Sequence, residues 1–131
     1  MAAVSADPLL GPIEGARHEV FGGVDVDVVA AGTGRVKRLV YPPGSRWSTD
    51  RKPLVGTEYC MHAHVGFLAQ GRLDGVFEDG CTYSFTAPQV VVLEPGHDTW
   101  VVGDEAAVLI QFDFERETTK LLGLPERHSH P

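Results

Sequence analysis

Cysteine is scarce in this chain: Cys60 and Cys81 are the two among 131 residues. Two are too few for a disulfide framework, so the fold must rest on a packed core. A single bridge between them stays open, and reduced thiols in the cytoplasm are the expected state. Cations are scarce too, with 11 Lys and Arg against 18 Asp and Glu for a formal net charge of −7. Nucleic acid is a poor partner for such a surface, because binding there begins with neutralised phosphates. Anionic membranes are disfavoured for the same reason. No apolar run reaches the roughly 20 residues of a membrane span. Residues 1–10 lack the basic, apolar and cleavage segments of a signal peptide. Helical periodicity of useful length is missing before residue 116.

What the chain does have is alternation. Hydrophobic residues make up 43% and charged residues 22%, an ordinary globular balance for one domain with its own core. Val24, Val26 and Val28 alternate with Asp25 and Asp27, the period of a strand with one buried face. Similar short segments follow at 36–41, 58–68, 73–78, 81–86, 90–93, 99–102 and 108–115. The run 90–93 is continuously apolar and suits a strand buried on both faces. Turn signals separate the segments: Pro42-Pro43-Gly44, Gln70-Gly71, Asp79-Gly80, Glu94-Pro95-Gly96 and Gly103-Asp104. Eight or nine short strands at this spacing predict an all-β antiparallel sandwich or barrel. Residues 115–122 predict one short helix stopped by Gly123, and the end of the chain reads as a polar tail.

Three histidines carry the candidate chemistry. His62 and His64 are two apart in an extended stretch and point to one face, and Cys60 shares their parity. His97 follows the Pro95-Gly96 turn, where an antiparallel neighbour can bring it opposite the pair. Neutral imidazoles converging from two strands hold zinc, iron, nickel or copper, and three ligands leave positions open for chemistry. The alternative is a polar face with a hydrogen-bonding brace. Trp47 and Trp100 are candidates to line a barrel mouth, with core packing as the other reading. Glu58 and Asp98 are candidate bases beside the histidines, or plain surface carboxylates. Gln70 shares the histidine parity but also fits a hairpin, and Arg127-His128-Ser129-His130 has ligand spacing near the end of the chain.

The blocks Gly56-Thr57-Glu58-Tyr59-Cys60-Met61-His62-Ala63-His64 and Leu93-Glu94-Pro95-Gly96-His97 resemble the two motifs of the cupins. So do Pro43-Gly44-Ser45-Arg46-Trp47-Ser48, His64-Val65-Gly66-Phe67-Leu68, Gly71-Arg72-Leu73 and the stretch from Pro95 to Glu105. Together they are similar to small single-domain bacterial cupins of type 2 over residues 17–115. The resemblance implies an antiparallel double-stranded β-helix, or jelly-roll barrel. It leaves residues 1–16 as an N-terminal extension and 116–131 as a short helix and tail. With that fold granted, imidazoles facing the lumen need partners, which a divalent metal supplies at one point; nitrogen and sulfur ligands favour zinc, with iron, nickel, manganese or copper as alternatives.

The motifs depart from the cupin pattern in one consistent way. If Gly71 is the hairpin glycine, His64 occupies the usual glutamate position, and the usual histidines fall near Thr57 and Tyr59. If the pair is His62 and His64, the glutamate position falls on Leu68. In the second motif the usual histidine position holds Thr99, and His97 sits two residues early. Both shifts preserve parity, so His62, His64, His97 and Cys60 can still meet one layer along the barrel.

The expected ligand-side residues are Trp47, Trp100, Glu58, Tyr59 and Thr99. The expected function is binding or converting a small organic molecule, as a metal-dependent dioxygenase, isomerase or related enzyme. A ligand-binding or sensor module without a functional metal, and a purely structural protein, are the other readings, since fold alone does not select a chemistry. The resemblance also implies a homodimer; the apolar parity Met61, Ala63, Val65, Phe67 and Ala69 needs a cover, from the second sheet or from a second subunit.

Overall fold

The computed structural model describes residues 7–128. Nine strands and three short helices follow in order: β1 (Arg17–Phe21), β2 (Val24–Ala31), β3 (Gly34–Tyr41), α1 (Trp47–Asp50), α2 (Lys52–Val55), β4 (His64–Gln70), β5 (Arg72–Phe77), β6 (Thr82–Thr86), β7 (Gln89–Leu93), β8 (His97–Val101), β9 (Ala107–Phe114) and α3 (Thr118–Leu122). A six-stranded sheet runs β1-β2-β3-β9-β4-β7 and a three-stranded sheet runs β6-β5-β8. Every pairing is antiparallel. The two sheets enclose one core, in which Val24, Val26 and Leu39 from the large sheet meet Leu73, Phe77 and Val101 from the small one. Burial of that apolar surface is the main force holding the layers together.

Two glycines set the geometry near the site. A side chain at Gly66 would put its Cβ 2.0 Å from the Ile110 carbonyl oxygen, so only glycine lets β4 lie this close to β9. Gly71 turns β4 into β5 at φ 83°, a left-handed conformation, with the Ala106 carbonyl 2.8 Å from where a Cβ would sit.

Four expectations need correction. The run in β7 is buried on one face only: Val91 and Leu93 are inside, while Val90 is 66% exposed. The large sheet has a second layer on its inner side alone, so a continuous apolar run did not mean a doubly covered strand. Residues 58–68 are not one strand. The ladder begins at His64, and Cys60 is fixed earlier by a single bridge to His97. The chain also makes helical turns before residue 116, at α1 and α2. Single turns are too short to show a 3.6-residue period. In α1, Asp50 Oδ2 accepts the Arg46 backbone N–H at 2.9 Å and Asp98 Oδ1 accepts that of Ser48 at 3.0 Å, while α2 carries Pro53 in its first turn and ends at Gly56 in a left-handed conformation. Finally, the C-terminal helix starts at Thr118 rather than 115, because Glu117 lies at φ 60° and breaks the helix off from β9.

Candidate metal centre and lumen

The centre is built where β7 turns into β8. Cys60 and His97 face each other across two reciprocal backbone bonds, Cys60 N–H to His97 O at 2.8 Å and His97 N–H to Cys60 O at 3.2 Å. Such a pair puts both side chains on one face. His64 opens β4 opposite Leu93, the last residue of β7, so its ring lies over the same turn. The result is one ligand atom each from Cys60, His64 and His97, all within 4.8 Å of one another. The rings of His64 and His97 are 5.3 Å apart between centroids.

Backbone and side-chain partners set the ring tautomers. His97 Nδ1–H donates to the Glu94 carbonyl at 2.7 Å. His64 Nδ1–H donates to Gln111 Oε1 at 2.7 Å, and the Gln111 amide group donates in turn to Asp113 Oδ2 at 3.1 Å. Since a carboxylate only accepts, Asp113 fixes which way the Gln111 amide points, and Gln111 fixes the His64 tautomer. In both rings Nε2 is left as the nitrogen that can bind a ligand. Burial keeps the rings neutral. It pushes His97 down to about 4, with the nearby His62 acting in the same direction. Burial and then the neighbouring imidazoles hold His64 well below the usual histidine range. Burial raises the Cys60 thiol to about 11.

His62 faces the same cavity, 5.4 Å from His64 between ring centroids, but its Nε2 donates to Asp113 Oδ2 at 3.1 Å. It shares the face of Cys60 and His64, as their common parity predicts, but Asp113 engages its ring. The cluster therefore joins Cys60, His64 and His97, with His62 beside it. Asp113 is fully buried and also accepts from Arg35 Nε at 2.9 Å and Lys37 Nζ at 3.0 Å. Burial works to raise its pKa, but the bonds from His62, Arg35 and Lys37 outweigh that and keep it ionised far below the usual carboxylate range.

The cluster opens onto a cavity of about 430 Å³. Trp47 and Thr99 line it, Thr99 being hydrogen-bonded to the Tyr83 hydroxyl. Trp100 takes the opposite parity on β8 and turns outward, where the Arg46 guanidinium lies 4.4 Å from its ring centroid. Glu58 is exposed and pairs with Lys52 at 3.3 Å, the Tyr59 carbonyl accepts from Thr57 Oγ1 at 2.7 Å, and neither residue lines the cavity. Asp98 is an anchor rather than a base, holding Arg46 at 2.9 Å and the Ser48 amide. Gln70 donates to the Ala106 carbonyl at 3.0 Å beside the β4–β5 turn.

At the tail, His128 stacks on Phe77 at 3.8 Å and its ligand atom lies within 4.8 Å of those of Asp79 and Cys81. Ser129 and His130 lie outside the described residues.

Sequence reading missed Gln111, Asp113, Lys37 and Arg51. The alternation through β9 was visible, but it does not say which row is inside. The polar row faces inward at Gln111 and Asp113 because they meet Lys37 and Arg35 across the β3–β9 ladder.

No family model matches the chain, and no curated protein matches it. Solved structures do. A Cupin 2 conserved barrel domain protein from Salinispora arenicola CNS-205 shares 18% identity over 86% of this chain and 92% of that one, with a TM-score of 0.57. A cupin-2 domain from Rhodospirillum rubrum gives 19% identity, 77% and 70% coverage and a TM-score of 0.55. The cupin domain of Cnp3 from Schizosaccharomyces pombe gives 10% identity, 88% and 80% coverage and a TM-score of 0.54. With two antiparallel sheets closing on one lumen, this chain has the fold of a small cupin barrel.

Proposed function

We propose that this barrel holds a divalent metal ion, zinc or a similar borderline ion, on Cys60, His64 and His97, and receives a small organic molecule in the adjoining lumen. The observation that carries the reading is the convergence of one thiol and two neutral, tautomer-fixed imidazoles within 4.8 Å at the wall of a 430 Å³ cavity. The donor set fits the group. Nitrogen and sulfur ligands suit zinc, three protein ligands leave a position open, and the cavity is of small-molecule size. The thiol must lose its proton to bind, which couples metal affinity to pH.

A bound ion would supply Lewis acidity to a polar group of the ligand. The chain supplies the rest. Gln111 and the Glu94 carbonyl hold the two rings in place, the Cys60–His97 bridge fixes the sulfur, and Trp47 with the apolar walls lines the space beside them.

The test is zinc titration of chelator-treated protein with elemental analysis. One ion per chain is expected in the wild type, none in His64→Ala or Cys60→Ser, and an affinity about 10- to 100-fold weaker in Gln111→Leu, which removes the support of His64 together with one of the four donors to Asp113. Wild-type protein that takes up no stoichiometric metal would end this reading.

A further inference from the structure

The cations of this barrel are almost all answered by carboxylates. Arg35 and Lys37 meet Asp113, Arg38 meets Asp27 at 3.1 Å, and Arg46 meets Asp98 at 2.9 Å. Arg51 differs. It is 6% exposed and lies between α1 and α2, where it lines the lumen. Among the described residues no carboxylate lies within ion-pair distance of it. Its Nη1 donates to the Gly22 carbonyl at 3.2 Å and to Ser45 Oγ at 3.0 Å, and its guanidinium carbon sits 5.5 Å from the Tyr41 ring centroid. These are neutral partners.

Burying a full charge without a counter-charge is costly, and the group does not escape by losing its proton, because a guanidinium stays charged. Something has fixed Arg51 there. Its stem packs so tightly against the β1–β2 turn that a Cβ at Gly22 would stand 2.3 Å from Arg51 Cγ. The two Nη1 bonds leave Nε and Nη2 without partners among the described residues. That edge of a guanidinium presents two parallel N–H groups, the spacing that matches the two oxygens of a carboxylate.

We propose that the lumen ligand is a small organic carboxylate, its acid group held by the Nε–Nη2 edge of Arg51 and its apolar body lying against Val24, Leu39, Val91, Leu93 and Leu109. The walls select the body, since these residues offer no hydrogen bonds. Lys37, the other cation lining the cavity, is committed to Asp113, so a single guanidinium is available and a singly charged acid matches it. The protein's net charge of −7 repels anions in general, so a preference for an acid must arise locally. This inference rests on the lumen being a ligand site, but not on the metal.

The experiment uses chelator-treated full-length protein, so that failure of the metal reading and failure of this one are separate results. Matched acid and amide pairs serve as probes: phenylacetate and phenylacetamide, octanoate and octanamide, 1-naphthoate and 1-naphthamide. Calorimetry reads each affinity. At least one acid is expected to bind about 10- to 100-fold more tightly than its amide, the worth of a charge-assisted hydrogen bond. In Arg51→Met that ratio should fall to near one, while Arg51→Lys keeps part of it. If Arg51→Met does not fold, nitrogen NMR of the wild-type arginine Nε–H signals decides, because one buried signal should shift with the acid and not with the amide. Acids that bind no better than amides in the wild type, or a preference that survives in folded Arg51→Met, would overturn the proposal.

Discussion

Replacing Asp113 by asparagine isolates what its charge does, because the two side chains have nearly the same shape. The carboxylate is fully buried and accepts four donors, from Arg35, Lys37, His62 and Gln111, at 2.9 to 3.1 Å. Asparagine leaves one acceptor and turns an NH2 group toward a guanidinium or an ammonium. Two permanent cations then share an inner strand surface with no anion between them. Breaking a buried ion pair from one side costs about 3–5 kcal/mol, a large part of a domain's typical 5–15 kcal/mol. With a urea slope of about 1–3 kcal/mol per molar, the unfolding midpoint should fall by roughly 2 M. Urea titration followed by tryptophan fluorescence reads it. Adding Lys37→Met to Asp113→Asn removes one stranded cation and should recover part of the loss, as contacting residues couple by about 0.5–3 kcal/mol. A single variant within 1 kcal/mol of wild type, or a double variant whose cost is simply the sum of the two singles, would refute this account of the cluster.

Two other outcomes follow from the same structure. In chelator-treated protein the buried imidazoles resist protonation, so the unfolded chain takes up protons first; stability contributed by neutral His97 is complete above pH 6.5 and is lost as pH falls from there toward 4. Burial's depression of His97 alone is worth about 3 kcal/mol over that window, and urea midpoints that stay flat between pH 7 and 5 would contradict it. For the expected homodimer, Val36, Phe67, Val90, Val92 and Phe112 are exposed together on neighbouring strands of the large sheet. Sedimentation equilibrium should give a dimer that Phe67→Glu converts to monomer, and a wild-type monomer at high concentration would remove the subunit from consideration.

Much of the barrel was legible because its signals are local. Val24 to Val28 alternate whatever surrounds them, Asp79-Gly80 turns the chain between β5 and β6, and the parity of Cys60 and His64 holds even though the ladder starts only at His64. Burial on one face or two is not local, which is why the apolar run of β7 misled: its neighbours, not its own residues, leave Val90 and Val92 outside.

The composition and the period-two pattern by themselves determined an antiparallel all-β sandwich or barrel with Cys60, His62, His64 and His97 as candidate ligands. Only the tertiary structure decided that His62 is held by Asp113, that Gln111 aims the His64 ring, and that Arg51 is buried without an anion. Parity is a property of consecutive residues, whereas a charge finds its partner across strands from distant parts of the chain, and their register exists only once the sheets have closed.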